Sequence, residues 1–142
     1  MNQLNTAKRT HVTAALIEGN SINATCRMLG VGKHTVRRLL EDAGCACAAF
    51  HHANVRNLRV KRAQCDEVWS FIYAKQKNVT EKMAEDAGDC WTWTAIDADT
   101  KLIISYMLGD RGASTARDFM ADVASRITNR IQFNDGRTPR VR

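Results

Sequence analysis

Apolar residues recur at helical spacing over the first 58 residues and predict a set of short helices. The first helix is expected to begin near the cap candidates Asn5 and Thr6 and to end near Gly19, a residue type that favours helix ends. Ser21 can cap the helix that follows. Gly30-Val31-Gly32 breaks this second helix. The pattern therefore predicts a helix pair over 21–29 and 33–42 in a helix-turn-helix arrangement, with a further helix over 43–57.

After residue 63 the spacing changes to runs of aromatic and β-branched residues, which predict strands. The first run is apolar on both faces, so we expect an interior strand of a sheet covered on two sides. The predicted elements are strands over 65–73, 91–96, 102–108 and 131–134, with a helix from Ser114 before the last strand. This order predicts an α/β fold whose three antiparallel strands, crossing helix and strand parallel to the first form the opening half of a ribonuclease-H-like mixed sheet.

The net charge of +6 is concentrated in the first part of the chain. Residues 1–62 hold ten Lys and Arg against three acids, whereas residues 63–142 hold eleven against twelve. A basic first part is expected to bind a polyanion such as nucleic acid, although a basic face that meets only solvent is the alternative. We accordingly expect a DNA-binding domain over 1–58, a basic linker over 59–63 and a second domain over 64–142.

The second helix of a helix-turn-helix enters the major groove of DNA with its first residues facing the base edges. Apolar positions are expected to pack the two helices together: Ile22, Ala24, Cys26, Val31, Val36 and Leu39. Leu40 is also expected on the inner side of the helix that begins at Lys33. The polar side chains left outward on the recognition helix are Lys33, His34, Thr35, Arg37 and Arg38. Arginine can contact guanine or phosphate, and lysine and threonine can serve either purpose, so these five residues are the candidate DNA-binding set.

Two aspartates are candidate metal ligands. Asp66 lies within the first strand among large apolar neighbours, where an unpaired buried carboxylate is costly. Asp135 follows the last strand, and the predicted topology brings the two carboxylates close together. Their oxygens suit Mg²⁺ or Mn²⁺. From spacing alone, a solvent-reaching strand residue and a turn aspartate are the simpler interpretation.

The five cysteines are expected to be free thiols, since their number is odd and their spacing gives no disulfide framework. Cys45 and Cys47 precede His51 and His52, but a single intervening residue is poor spacing for zinc. No apolar run approaches the roughly 20 residues of a membrane span, and the N-terminus lacks a secretion-signal pattern. We expect a cytoplasmic protein without a membrane partner.

Three segments resemble bacterial DDE-type transposases of the insertion-sequence-one family, and the likeness runs from about Leu4 to Gly136. The segments are 21–28, 64–71 (Gln-Cys-Asp-Glu-Val-Trp-Ser-Phe) and 91–97 (Trp-Thr-Trp-Thr-Ala-Ile-Asp). The resemblance implies a ribonuclease-H-like catalytic domain that cuts and joins DNA with Mg²⁺ or Mn²⁺ held by an Asp, Asp, Glu set. Asp66 matches the first acid of that set and Asp135 the second. Transposon ends and target DNA are the implied partners, and a homo-oligomer is compatible with them.

The sequence departs from this family after Asp135, where no further acidic residue follows. Residues 137–142 resemble a frameshifted or truncated gene end, so we expect the chain to be inactive by itself in DNA transposition. Two alternatives stay open beside a transposase. One is a non-enzymatic helix-turn-helix regulator, and the other is a transcription factor whose second domain senses a ligand and would have a pocket in place of the carboxylates.

Overall fold

The computed structural model describes residues 4–134, with side chains described over 4–131. The protein is mixed α/β, and its chain divides between Asn54 and Val55 into two compact units. We call the first the helical unit and the second the sheet unit. Over 4–134, none of the helices is both long enough and apolar enough to pass through a membrane.

The helical unit contains α1 (Thr6–Ile17), α2 (Ile22–Leu29) and α3 (Lys33–Asn54). Side chains preceding the first two helices accept hydrogen bonds from otherwise unpaired backbone N–H groups, as helix caps do. The Asn5 carboxamide oxygen accepts from the Lys8 N–H at 2.8 Å, and the Ser21 hydroxyl oxygen accepts from the Ala24 N–H at 3.2 Å. The predicted starts of α1 and α2 are therefore confirmed.

A glycine turn joins α2 to α3 and places their apolar sides against each other. Gly30 has a left-handed backbone (φ 60°), which glycine adopts without steric cost. The Val31 N–H then donates to the Cys26 carbonyl at 3.3 Å. Val31 is buried with Val12 and Val36, and partly buried residues surround these three: Leu4, Leu16, Ile22, Cys26, Leu29 and Leu39.

Two details of the helical unit differ from the prediction. Leu40 was expected to face the core but is 46% exposed. The predicted break before residue 43 is absent, and α3 continues unbroken to Asn54. A single glycine such as Gly44 costs only about 1 kcal/mol in a helix, and the neighbouring alanines favour the helical state.

The sheet unit contains four strands in the spatial order β3-β2-β1-β4, with one long helix between β3 and β4. The pairs β1–β2 and β2–β3 are antiparallel, and β4 is parallel to β1. The antiparallel directions of β1, β2 and β3 and the parallel direction of β4 agree with the prediction. The bounds are β1 (Arg62–Ile72), β2 (Gly88–Asp97), β3 (Ile103–Gly109), α4 (Ala113–Arg126) and β4 (Gln132–Asn134), with a short 3-10 helix at Gln76–Asn78 between β1 and β2.

Only one face of this sheet packs on α4. Ala63 and Ala95 lie under Phe119 and Val123 of that helix, and together they form the core. The expectation that β1 is covered on both faces is not met within residues 4–131. On the opposite face Val68 is 55% exposed and Leu108 is 67% exposed. The sheet's apolar pattern therefore exceeds what a single helix can cover. Three further exposed apolar side chains of the described strands lie on this face: Ile72, Ile103 and Tyr106.

The basic segment expected as a linker instead forms part of the sheet unit. Val60 and Ala63 are buried in its core. The Val60 N–H donates to the Asn129 side-chain oxygen at 3.1 Å, and the Leu58 N–H donates to the Arg126 carbonyl at 2.9 Å. Alternating apolar and basic residues make this segment amphipathic, so its apolar members pack while its charges remain at the surface.

Candidate nucleic-acid interface and acidic site

The predicted DNA-binding residues lie together on the first turns of α3. Four of them, with Glu41, line an open depression of about 470 Å³: Lys33, His34, Arg37 and Arg38. Thr35, the fifth, is exposed on the same turns but lies outside the depression. The structure therefore brings the predicted set onto one exposed helix surface.

The orientation of these side chains follows from the packing of α3. Val36 is fully buried and Leu39 half-buried, so the residues on the other side of the helix project away from the core. The first turn of α3 contains Lys33 and no acidic residue. The positive end of the helix dipole adds to this charge, which makes the beginning of α3 favourable for phosphate.

The basic excess of the first 62 residues is shared between the two units. Residues 1–54 hold six Lys and Arg against three acids, and the other four basic residues belong to the sheet unit. Two of those four have structural partners. Arg62 is 2.6 Å from the Asp99 carboxylate, and Arg56 donates to the Ser125 hydroxyl at 3.0 Å. Three of the six Lys and Arg of the helical unit lie on the first turns of α3, with Glu41 beside them.

Asp66 lies in β1 on the face that α4 leaves uncovered. Its side chain is exposed, not buried as its apolar neighbours suggested, and Oδ1 accepts a hydrogen bond from the Glu67 N–H at 2.8 Å. Asp135 lies outside the described residues. The residue before it, Asn134, pairs with Gln64, two positions before Asp66. The predicted approach of the two aspartates stays a prediction.

The described part of the chain does not by itself make a metal site. Over 4–131, no group of three or more His, Cys, Asp or Glu side chains is placed to hold a metal ion. Glu67, the neighbour of Asp66, faces the other side of the sheet and is paired with Arg111 at 2.9 Å. Cys45 and Cys47 are exposed on α3 and belong to no such group.

A buried polar network fixes α4 on β3, and sequence patterns did not reveal it. The Asp122 carboxylate accepts from the buried Ser105 hydroxyl at 2.5 Å and from Arg126 Nε at 2.7 Å. Arg126 also donates to the Val55 carbonyl at 3.2 Å. Burial acts to raise the pKa of Asp122, but the hydrogen bonds from Arg126 and Ser105 outweigh it and the pKa is lowered. The spacing of Asp122 and Arg126, four residues apart on one helix, is the signal that could have indicated the pair.

A cluster of aromatic and cationic side chains lies at the far end of β1 and β2, and we call it the aromatic patch. It comprises Trp69, Phe71 and Trp91 with Lys75 and Arg111. The aromatic residues were predicted from the sequence as strand formers. Their cationic neighbours were not predicted, because Lys75 and Arg111 reach the rings from segments that are distant in the chain.

Comparison with known proteins identifies no relative: no protein-family model and no curated protein matches the chain. Its function is therefore inferred from its own residues.

Proposed function

We propose that this protein binds duplex DNA through the beginning of α3, as the DNA-binding part of a bacterial transposase of the insertion-sequence-one type. In this proposal α2 and α3 form a helix-turn-helix, and α3 enters the major groove. Arg37 and Arg38 contact base edges or phosphates, supported by Lys33, His34 and Thr35.

The observation that carries DNA binding is the arrangement of α3. Its inner side is tied to α2 by a tight glycine turn and by Val36, while its basic side chains share one exposed surface. A helix held in this way can present a fixed pattern of donors to a groove with little ordering cost on binding. Residues 1–54 hold six Lys and Arg against three acids, so the helical unit as a whole has a net positive charge.

Support for a transposase comes from the sheet unit. The strand order β3-β2-β1-β4, with β4 parallel to β1, is the opening topology expected of a ribonuclease-H-like domain. Asp66 is accessible on β1 at the position that the family resemblance gives to the first catalytic acid. The same resemblance implies Mg²⁺ or Mn²⁺ bound by Asp66 and Asp135. Because the described residues do not complete a metal site, we derive no catalytic step.

A non-enzymatic DNA-binding regulator is the second candidate. It needs only the exposed basic surface of α3, which the structure describes in full. Both candidates share duplex binding by α3. Cleavage of DNA that bears the element's ends, if it is lost in the Asp66→Ala variant, would exclude the regulator and would also overturn the expectation that this chain is inactive by itself.

The test of DNA binding is the double variant Arg37→Ala/Arg38→Ala, measured by fluorescence anisotropy with a labelled 30-base-pair duplex over a series of salt concentrations. Loss of two phosphate contacts lowers the slope of log affinity against log salt by about 1.8, at about 0.9 for each contact. Affinity at low salt should fall roughly 100-fold if each arginine contributes about 1–3 kcal/mol.

The matched control is Lys77→Ala/Lys82→Ala, which removes the same charge from the exposed segment between β1 and β2 of the sheet unit. Its slope and affinity should stay near those of the unchanged protein. Equal losses in both double variants would mean that only net charge attracts DNA, and would refute a specific role for α3.

A further inference from the structure

An open groove runs between α1 and α3 of the helical unit, and we call it the α1–α3 groove. Its walls are one side of α1 over 6–17 and one side of α3 over 39–46, and its volume is about 480 Å³. None of the candidate DNA-binding residues lines it. The groove is therefore a surface of its own, separate from the depression at the beginning of α3.

Much of the groove offers a surface against which another helix can pack. Ile17, at the end of α1, is 79% exposed, and the small side chains of Ala43 and Ala46 let a second helix approach α3 closely. The hydroxyls of Thr10 and Thr13 donate to backbone carbonyls one turn earlier in α1, at 3.0 and 3.1 Å. Their donors are thus already satisfied within the helix.

One cation and one anion also line the groove. Arg9 lies on the α1 wall and Asp42 on the α3 wall. Neither side chain forms a hydrogen bond or an ion pair within residues 4–131. Arg38, one turn before Asp42, lines the other depression and is not within ion-pair distance of it. The charges that line the groove therefore balance, and both lack a partner among the described residues.

This balance of charges selects the occupant. The phosphates of DNA would be repelled by Asp42, and a wholly apolar partner would remove both charges from water without compensation. A second copy of the same surface supplies both missing partners. In a two-fold symmetric contact each residue pair occurs twice, so Arg9 of one copy meets Asp42 of the other and the reverse pair forms as well.

We propose that two copies of this protein associate through the α1–α3 groove as a two-fold symmetric dimer. Ile17 and the alanines of α3 form its apolar centre, and the two pairs of Arg9 with Asp42 set its register. Phe50, one turn beyond Ala46 on α3, is 68% exposed and extends the apolar surface. The interface is small, so the dimer is reversible and depends on concentration.

The test begins with sedimentation velocity of the full chain, free of nucleic acid, over a series of concentrations. Arg9→Glu brings two carboxylates together at each pair, and Asp42→Arg brings two guanidinium groups together. Each variant alone should dimerise at least roughly tenfold more weakly than the unchanged protein, because two attractive contacts in the dimer become repulsive.

An equimolar mixture of the two variants is the decisive sample. In the mixed dimer the introduced glutamate faces the introduced arginine, and the remaining Asp42 of one copy faces the remaining Arg9 of the other. Both pairs are restored, so the mixture should dimerise about as tightly as the unchanged protein. A folding defect or a contact within one copy cannot be repaired by mixing.

Arg27→Glu is the matched control, since Arg27 is an exposed arginine of α2 outside the groove and its reversal should leave the dimer unchanged. Ile17→Ser should weaken dimerisation roughly tenfold through lost apolar contact, and it decides the question if a charge variant fails to fold by circular dichroism.

Three results would overturn the proposal. The unchanged protein could remain monomeric at every concentration, the mixture of charge variants could remain monomeric, or folded groove variants could dimerise as tightly as the unchanged protein. The last result would place self-association on another surface, such as the uncovered face of the sheet. Because Arg37→Ala/Arg38→Ala leaves the groove intact, it should dimerise normally, and the proposals for DNA binding and for the dimer can fail separately.

Discussion

The helical unit buries valines and keeps its charged side chains at the surface, whereas the sheet unit buries Arg126 with Ser105 inside a hydrogen-bonded network. Changing a candidate DNA-binding residue such as Arg37 should therefore leave the helical unit folded. In the sheet unit a charge change can act on the fold itself. A charge variant of the helical unit that loses binding therefore points to a binding residue, whereas one of the sheet unit can lose binding because it unfolds. Variants measured for both stability and binding test this difference between the units.

The largest expected effect on stability is that of Asp122→Ala, which should lower the free energy of unfolding of the sheet unit by about 3 kcal/mol. The change leaves the buried Arg126 without its carboxylate partner and removes the acceptor of the Ser105 hydroxyl. All three tryptophans lie in the sheet unit, so denaturant unfolding followed by tryptophan fluorescence reports on this unit.

Asp118→Ala on the same helix is the control, because Asp118 is exposed and the change should cost less than about 0.5 kcal/mol.

The pH dependence of stability gives a second check on the pair formed by Asp122 and Arg126. The folded pKa of Asp122 is lowered from its ordinary value of 3.8, so its contribution is present above that value and is lost as the pH falls through the folded pKa. The gap between the unchanged protein and Asp122→Asn should close on acidification; a gap independent of pH would contradict the ionised pair.

The same contrast explains which features could be predicted from the sequence. Asn5, Ser21 and Gly30 act on their own neighbours in the chain, so the bounds of α1 and α2 followed from local patterns. The strand order also followed, since alternation and turn residues left few topologies. In the sheet unit, by contrast, Ser105 meets Asp122 across 17 positions and Arg111 meets Glu67 across 44. Such contacts depend on how strands and helix assemble, which no local pattern specifies.

Burial of charged residues was harder to predict than secondary structure. Asp66 was expected among apolar neighbours, yet it is exposed because α4 covers only the other face of β1. The segment around Val60 looked like a linker, because its basic residues concealed an alternating apolar pattern. In both cases burial depended on which face of the sheet α4 covers, and the residue types nearby in the sequence did not indicate that face.

A smaller effect is expected from glycine changes in the helical unit, and its sign should differ between two positions. Gly30→Ala forces a side chain into a left-handed backbone (φ 60°) and should destabilise the unit by about 1 kcal/mol, although a Cβ there meets no neighbour within 4 Å. Gly44→Ala lies inside α3, where a Cβ is equally free, and should stabilise the helix by up to about 1 kcal/mol. Thermal unfolding followed by circular dichroism at 222 nm measures both. If both variants changed the unfolding temperature in the same direction, the left-handed backbone at Gly30 could not be the cause of the change.

The smallest effect on stability is expected from a change at Asp66. Such a result would indicate that this aspartate is not needed for folding. Its carboxylate is exposed and, among the described residues, accepts only the N–H of its neighbour Glu67, so Asp66→Asn should change the free energy of unfolding by less than about 0.5 kcal/mol. Duplex binding should also be unchanged, because α3 lies in the other unit. Binding of Mn²⁺, followed by electron paramagnetic resonance, should be weaker than in the unchanged protein if the proposed role as a metal ligand holds. Asp118→Asn, an exposed aspartate on α4, controls for general loss of surface charge. A destabilisation near 2 kcal/mol would make Asp66 a structural residue, and Mn²⁺ binding equal to that of the control would remove it from the proposed metal site.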